Sequence, residues 1–405
     1  MLCDKAVLEK LSSADAYDEL MAPFFPPPNL LLADPPAHGS MRVRWEKRIA
    51  SIGSRGLAST IQQHFRTIPP GSVVDLYESM KTLSWKLLLN IFLAVADDNT
   101  KDAEFTEKLI SLQEDLLRGQ FSLFPVSINT RFWTSPRAKG IAAREKLQSL
   151  LRDRLRSHPS SFPFAFSDEE ELNDIADHLL LFTSSLAAKA LASLLTAVML
   201  NVYHDHPDHG KLINRVRGLS DPRAREALIK SLVCETERLS PPVIGIMRRA
   251  TTDIILPPSN KDVQSTLIPQ GWDIWLYFVG AARDPAVFDA TAQVFQADRY
   301  SANNVGDQHG FAFGAGPKAC LGHNAMRDLI IELVKVCAGV EGNGGNGDHD
   351  GDGVELRVSE GREVPLGVQG WLGWCSNVKP EDWARDMKQL PTQRPVKPIM
   401  VTFHP

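Results

Sequence analysis

Ten residues late in the chain carry the most chemistry: Phe313-Gly314-Ala315-Gly316-Pro317-Lys318-Ala319-Cys320-Leu321-Gly322, followed directly by a helical pattern. Glycines permit tight turns and let the backbone approach a flat ligand closely. They also allow peptide N–H groups to aim at the sulfur of Cys320. A cysteine at a helix N-terminus has its thiolate stabilised by the helix dipole, which makes it a good anionic metal ligand. That is the chemistry required of an axial thiolate on haem iron. Alone, the same loop is also compatible with a structural Gly-rich turn around an incidental buried cysteine.

The loop does not stand alone. Upstream, Glu235-Thr236-Glu237-Arg238 sets a carboxylate and a guanidinium three residues apart on one helix face, followed by Leu239-Ser240-Pro241-Pro242. Ile268-Pro269-Gln270-Gly271, Arg283-Asp284-Pro285-Ala286-Val287-Phe288 and Ala297-Asp298-Arg299-Tyr300 lie between these two motifs. In this order the chain resembles the cytochrome P450 family of haem-thiolate enzymes. The resemblance rests on Phe-x-x-Gly-x-basic-x-Cys-x-Gly at 313–322, Glu-x-x-Arg at 235–238 and a variant of the Pro-Glu-Arg-Phe meander at 297–300. Asp34-Pro35-Pro36-Ala37-His38, with Arg42 one turn later, is similar to the family's soluble, bacterial-type members. The match extends over about residues 1 to 337 and leaves the C-terminal segment less well matched.

The resemblance implies haem b as cofactor, with Cys320 as its axial ligand and Phe313, Gly314 and Gly322 in the loop that seats it. It implies that His38, Arg42 and Arg248 pair with the haem propionates through charge-assisted bonds. Arg248 is chosen over Arg249 because it precedes Asp253 by the five residues usual in the family. Lys318 fills a slot usually held by His or Arg, keeping the charge without the guanidinium fork. Glu235, Arg238 and Arg299 are implied to form a buried ion-pair network serving folding and cofactor retention. For each basic residue taken alone, a solvated surface charge is the competing reading.

Three departures set the chain apart. Oxygen-activating members carry an acid and then a Thr in a long central helix, here predicted over Glu171 to Tyr203, yet no Asp or Glu lies between Asp177 and Asp205. Anchoring on His206-Pro207 puts Ala190 and Leu191 in the acid-alcohol slots. Ser184, Ser185, Ser193 and Thr196 remain as hydroxyl donors, although Ser and Thr also bond harmlessly to the carbonyl four residues back. Lys189 reads either as a proton donor or polar anchor in the distal pocket, because a desolvated Lys has a depressed pKa, or as a side chain snorkelling from the outer face. Next, Asp34-Pro35-Pro36 occurs so early that the chain is expected to begin near the family's second helix, with an extended C-terminal part. Finally, Met326 stands where a small Ala is usual.

Two functions of different kind follow. In the first, a haem-thiolate enzyme of specialised metabolism rearranges, dehydrates or cyclises an activated lipophilic substrate such as a hydroperoxide or epoxide, with no redox partner. Phe278-Val279-Gly280-Ala281-Ala282-Arg283-Asp284-Pro285 weakly resembles the P450 halves of fungal fatty-acid dioxygenase fusions, which work in this way. In the second, the protein is a monooxygenase fed by a reductase or ferredoxin, its acid-alcohol pair replaced by substrate or ordered water. A degenerate haem-binding scaffold is a third reading.

These groups need elements to hold them. Apolar spacing predicts helices over the first 20 residues, Met41 to Phe65, Val73 to Ala96, Phe105 to Leu117, Ala138 to Leu155, Glu169 to Tyr203, Arg223 to Leu239 and Ala325 to Val336. After Pro241, short β-type runs such as Ile254-Ile255-Leu256 and Ile274-Trp275-Leu276-Tyr277-Phe278 lie between Pro and Gly breakers. Helices first and a small β region later predict a mainly α protein, one P450-like domain over 1–405, with a single haem between the long central helix and the Cys loop. Gly339 to Gly353 is low complexity. Asp348, Asp350, Asp352 and Gly353 match the opening of a calcium loop, but Ser359 replaces its bidentate acid, so a hairpin tip or flexible loop is predicted.

Composition supplies exclusions. The 405 residues hold 44 Lys+Arg against 49 Asp+Glu, a net charge of −5 that offers no basic surface for nucleic acid. Five cysteines, odd in number and scattered, make no disulfide framework and suggest a reducing, cytoplasmic setting. The first 20 residues carry Asp4, Glu9, Asp15, Asp18 and Glu19 with no apolar core, so no signal peptide is expected there. Leu179 to Leu200 is long enough to span a bilayer, but Lys189 near its middle would cost about 2.5–3.5 kcal/mol, so a buried helix and no transmembrane segment are expected.

Overall fold

Helix starts are set by Asp, Ser and Pro. The computed structural model describes residues 21–33, 36–52, 56–95, 100–122, 126–158, 165–206, 210–256, 265–301, 311–340, 353–358, 387–388, 392–395 and 398–404. α1 (Ala37–Ile52) and α2 (Leu57–Arg66) lead through β1 (Val73–Asp75) into α3 (Leu76–Leu93). Asp75 caps α3 by accepting from Tyr77 N at 2.9 Å, satisfying a first-turn N–H with no intrahelical partner. α4 (Thr100–Gln120) and α5 (Pro136–Ser157) run antiparallel, with Ser135 capping and Pro136 opening α5. Where they cross, a Cβ on Gly140 would lie 2.9 Å from Gly119 Cα, so neither position accepts a side chain without movement. Arg154 Nη1 clamps the far end on Asp102 at 2.6 Å.

α6 (Glu169–Phe182) and α7 (Ser185–Tyr203) are the central helix, and here the structure corrects the sequence. The expected single helix breaks at Thr183 and Ser184. Thr183 Oγ1 turns back onto Leu179 O at 2.8 Å, and Ser184, with extended backbone, accepts from Ala187 N at 3.2 Å as the cap of α7. Hydroxyls competing for backbone partners break a run that apolar spacing reads as continuous. α7 is long and apolar enough to cross a membrane, yet 78% of its apolar window is buried inside the fold. Trp45 of α1, fully buried, stacks on His178 (4.9 Å between centroids) and Phe182 (5.0 Å), tying α1 to α6.

The hairpin β2 (Asp205–His206) and β3 (Gly210–Lys211) precedes α8 (Leu212–Gly218) and α9 (Pro222–Leu239). β4 (Gly245–Arg249) and β5 (Ile254–Leu256) follow, then β6 (Thr266–Ile268) and β7 (Asp273–Tyr277). β4 pairs with β7 and β5 with β6, both antiparallel. A Cβ on Gly245 would fall 2.3 Å from Leu276 O, so this strand contact requires glycine. Two short turns, α10 (Phe278–Ala281) and α11 (Pro285–Phe288), cross to the Cys loop, and α12 (His323–Ala338) leaves it. The C-terminal β8 (Glu355–Val358), β9 (Met387–Lys388), β10 (Arg394–Pro395) and β11 (Met400–His404) return to the start of the fold. Strand β11 lies between β1 and β8, with Val73 opposite Thr402 and Leu356 opposite Phe403. The first 20 residues, Asp34, Pro35, the acids of the calcium-like stretch and Ser359 lie outside the described residues. The fold is mainly α with small sheets, as the sequence predicts.

Candidate functional site

The Cys loop is built from backbone geometry. Gly314 (φ +74°) and Gly316 (φ +72°) occupy the left-handed region, which only glycine adopts without strain. The two turns return the chain so that Cys320 N donates to Phe313 O at 2.8 Å and Ala319 N to Gly316 O at 3.0 Å. The N–H groups of Gly322 and His323, at the start of α12, donate to the Cys320 sulfur. Phe313 lies against His323, ring centroids 4.6 Å apart. Gly322, by contrast, has an ordinary φ of −81°, and a Cβ there would meet Met326 Cγ at 3.8 Å and Cys320 Sγ at 3.9 Å, both normal contacts.

Cys320 is exposed as a residue. Burial nonetheless pushes its thiol pKa up, against the opposing pull of the Gly322 N–H, the Arg42 guanidinium and the His323 N–H. Among the described residues no three His, Cys, Asp or Glu side chains gather as a metal site. A lone thiolate with two N–H donors on its sulfur fits an axial ligand to an iron whose other ligands belong to a macrocycle. The residues present therefore fit haem.

The basic residues singled out by sequence are not solvated surface charges. His38, at the start of α1, is 3% exposed, and Arg248 is 6% exposed on β4. Arg249, one residue on, faces out and binds Asp273 at 2.8 Å, so strand alternation turns Arg248 inward. Arg42 bridges α1 to the Cys loop, Nη1 donating to Ala319 O at 2.6 Å and Pro317 O at 3.2 Å, with Nε on Glu46 at 2.8 Å. Lys318 is half-buried between those two carbonyls in sequence.

Glu235, Arg238 and Arg299 meet in one buried network. Arg238 forks onto both Glu235 oxygens at 2.7 Å and also donates to Ala282 O and Ala292 O, each at 2.7 Å. Arg299 Nε reaches both Glu235 oxygens at 3.0 Å, and Gln296 N adds a third donor at 3.0 Å. α9 is thereby tied to the segments on either side of α11. Sequence reading missed a second pair, Arg327 of α12 on Glu237 at 2.6 Å, which links α9 to the helix leaving Cys320. Burial pushes the Glu237 carboxyl up, opposed by Arg327.

The hydroxyl and amine candidates of the central helix have partners within the fold. Ser184 is committed to capping, and Thr196 Oγ1 bonds back to Ala192 O at 2.7 Å. Lys189 neither snorkels nor stands alone: Nζ lies 2.8 Å from Glu114 Oε2 of α4, while Ser185 Oγ donates to Glu114 Oε1 at 2.5 Å. Burial raises the Glu114 carboxyl pKa, but hydrogen bonds from Lys189 and Ser185 outweigh it and leave the group below its usual range. Glu114 had no signal in the sequence, because it lies on a different helix 75 residues from Lys189.

Residues 221–329 match the family model described as Cytochrome P450. Among curated relatives, a cytochrome P450 85A3 of Solanum lycopersicum is 22% identical over 62% of this chain and 55% of its own length. A cytochrome P450 26A1 of Xenopus laevis is 24% identical over 66% of this chain and 58% of its own. The chain thus spans little more than half the length of these relatives. Among solved structures, a retinoic acid-bound cyanobacterial CYP120A1 superposes with a TM-score of 0.68 at 16% identity, covering 96% of this chain and 84% of that one. CalO2 gives 0.66 at 17% identity over 99% and 88%.

Proposed function

We propose that the chain, whose residues 221–329 match the Cytochrome P450 family model, is a haem-thiolate enzyme of that family, one domain around a single haem b, that rearranges, dehydrates or cyclises a lipophilic small molecule of specialised metabolism. Its substrate would arrive already activated, as a hydroperoxide or epoxide. The observation that carries this reading is the central helix. It holds no Asp or Glu from 178 to 204, and the carboxylate that reaches it, Glu114, is kept ionised by Lys189 and Ser185. An acid held ionised accepts hydrogen bonds and is a poor proton donor near neutral pH.

Cys320 would hold the iron through its thiolate, and His38, Arg42 and Arg248 would hold the propionates, with Lys318 beside the loop. Haem b, when bound through a thiolate, supplies an electron-rich iron centre that favours O–O bond cleavage. The chain's own part is to orient and to dry. The Gly322 and His323 N–H groups fix the sulfur, Arg42 holds the loop carbonyls, and the apolar α7 limits water near the reacting molecule. Scarce cysteines support a cytoplasmic setting, and among the described residues the helix apolar enough to cross a membrane, α7, is mostly enclosed in the fold.

A second reading, a monooxygenase fed by a reductase or ferredoxin, is favoured by one contact: Ser185 and Glu114 are an alcohol and an acid hydrogen-bonded across two helices. Two measurements separate the cases. Cys320→Ala should abolish the long-wavelength Soret band of the reduced CO complex that marks thiolate ligation. Haem-loaded protein should then turn over a fatty-acid hydroperoxide without any electron donor. Strict dependence on reduced nicotinamide, a redox partner and dioxygen would instead select the monooxygenase.

A further inference from the structure

Polar groups that the fold leaves unused gather where the β9–β10 hairpin meets the start of α3. Gln393 N donates to Pro242 O at 2.8 Å, which pins the approach to β10 against the segment between α9 and β4. Thr392 and Gln393 are each 1% exposed. Yet Thr392 Oγ1 and both ends of the Gln393 carboxamide have no hydrogen-bond partner among the described residues. The Tyr77 hydroxyl, on the first turn of α3 and 5% exposed as a residue, is likewise unpartnered. Burial pushes the Tyr77 phenol up to about 12 against the pull of Arg394 and Thr392, both beside it, so it stays protonated and able to donate. A buried polar atom left unbonded costs about 1–3 kcal/mol, so several in one place need a reason.

Charge selects the ligand. Arg394 is half-buried, and its guanidinium acts on the Tyr77 hydroxyl. The acids that act on the same hydroxyl, Glu78 and Glu114, are already paired with Lys81 and Lys189. Among these described groups, the Arg394 charge is the one left uncompensated. A buried water satisfies hydroxyls but does not balance a guanidinium. A carboxylate does both, since its two oxygens offer about four lone-pair sites and take N–H and O–H donors together in charge-assisted bonds. Glu114 also bonds to Lys189 and Ser185 of α7, so the cluster lies beside the central helix that borders the reacting molecule. We propose that Tyr77, Thr392 and Arg394 bind the carboxylate of the substrate, which makes that substrate an amphipathic acid, a carboxyl group on a lipophilic chain. The assignment rests on the function proposed for the haem site and adds the class of molecule it takes.

The test is calorimetric titration of full-length, haem-loaded protein with dodecanoic acid, its methyl ester and dodecan-1-ol. The acid should bind at least ~tenfold tighter than either neutral analogue. Arg394→Met should erase that preference and leave ester binding unchanged, while Arg394→Lys keeps part of it. Tyr77→Phe with Thr392→Val should weaken acid binding by roughly fivefold or more. Because the two hydroxyls are unpartnered, the same double variant should keep or raise the urea midpoint measured without ligand. The proposal fails if acid and ester bind alike or if Arg394→Met retains the preference. It also fails if the double variant lowers the urea midpoint, which would make the hydroxyls structural. An acid preference carried by these residues in a protein that needs a reductase and dioxygen would keep the site and overturn the reaction. Donor-free turnover of a hydroperoxide, with acid and ester bound alike, would do the reverse.

Discussion

Lys189 and Glu114 face each other at 2.8 Å across two helices, at the point where the central helix restarts. The pair joins α7 to α4 just beyond the Thr183–Ser184 break, and Ser185 occupies the second carboxylate oxygen. α4 is held to the other half of the central helix as well, by Gln113 Nε2 on Leu180 O at 3.1 Å. One helix thus splints both sides of the break.

The sign of the pH dependence follows. Glu114 has a depressed pKa in the folded protein, so it adds stability above the unfolded carboxylate value, and this is lost as pH falls through the folded one. Lys189→Met removes the strongest opposing hydrogen bond, so the Glu114 pKa should rise. The variant should lose about 1–3 kcal/mol near pH 7 and recover part of it as pH falls toward ~5. Adding Glu114→Gln should flatten the dependence. Urea unfolding followed at both pH values reads this out, and a Lys189→Met deficit that widens in acid would contradict it.

Arg42 is argued to act on the thiolate through the loop. It holds Ala319 O and Pro317 O, and its charge opposes the burial that pushes the Cys320 thiol up. Arg42→Ala should release haem to excess apomyoglobin about tenfold faster, the loss of a charge-assisted bond of ~1.5 kcal/mol. The reduced CO complex should shift partly to the spectrum of a protonated thiol at neutral pH. Arg42→Lys should lie between, retaining charge without the fork. Haem retention equal to the parent in Arg42→Ala would remove Arg42 from this role.

Contiguous chemistry was legible in the sequence, and chemistry assembled from distant helices was not. The Cys loop is one run of ten residues, and Glu235 and Arg238 share a helix face, so each announces itself locally. The family resemblance points to His38 and Arg248, and their burial comes from helix packing and strand alternation. Three features had no local signal. The break at Thr183–Ser184 sits in a stretch whose apolar spacing continues through it, because capping depends on hydroxyl geometry rather than hydrophobicity. Glu114 is one of several acids on α4, distinguished only by what packs opposite. Arg327 finds Glu237 90 residues away, on a different helix.

The Glu235 network should be unforgiving. With exposures of 0% for Glu235 and Arg238 and 7% for the Arg299 side chain, the charges have no water to fall back on. Glu235→Gln leaves two buried guanidinium groups short of a counter-charge and should cost ~3–5 kcal/mol, seen as a lower urea midpoint and reduced haem content. Arg238→Lys should be nearly as harmful, since an ammonium cannot keep the fork on Glu235 together with the bonds to Ala282 O and Ala292 O. A midpoint unchanged in Glu235→Gln would show the network to be dispensable.

The glycines of the Cys loop divide by backbone conformation rather than by motif. Gly314 and Gly316 have positive φ, and alanine at either should cost about 1–2 kcal/mol locally, the penalty of a Cβ in the left-handed region. That strain acts on the turn that delivers Cys320 N to Phe313 O, so haem content and the thiolate spectrum should both decline. Gly322 has a negative φ and room for a Cβ 3.9 Å from the sulfur, while its N–H still reaches Cys320 after substitution. Gly322→Ala should therefore keep haem and its thiolate spectrum. If Gly322→Ala lost haem as readily as Gly314→Ala, backbone conformation would not be what the loop selects for, and closeness to the cofactor would be.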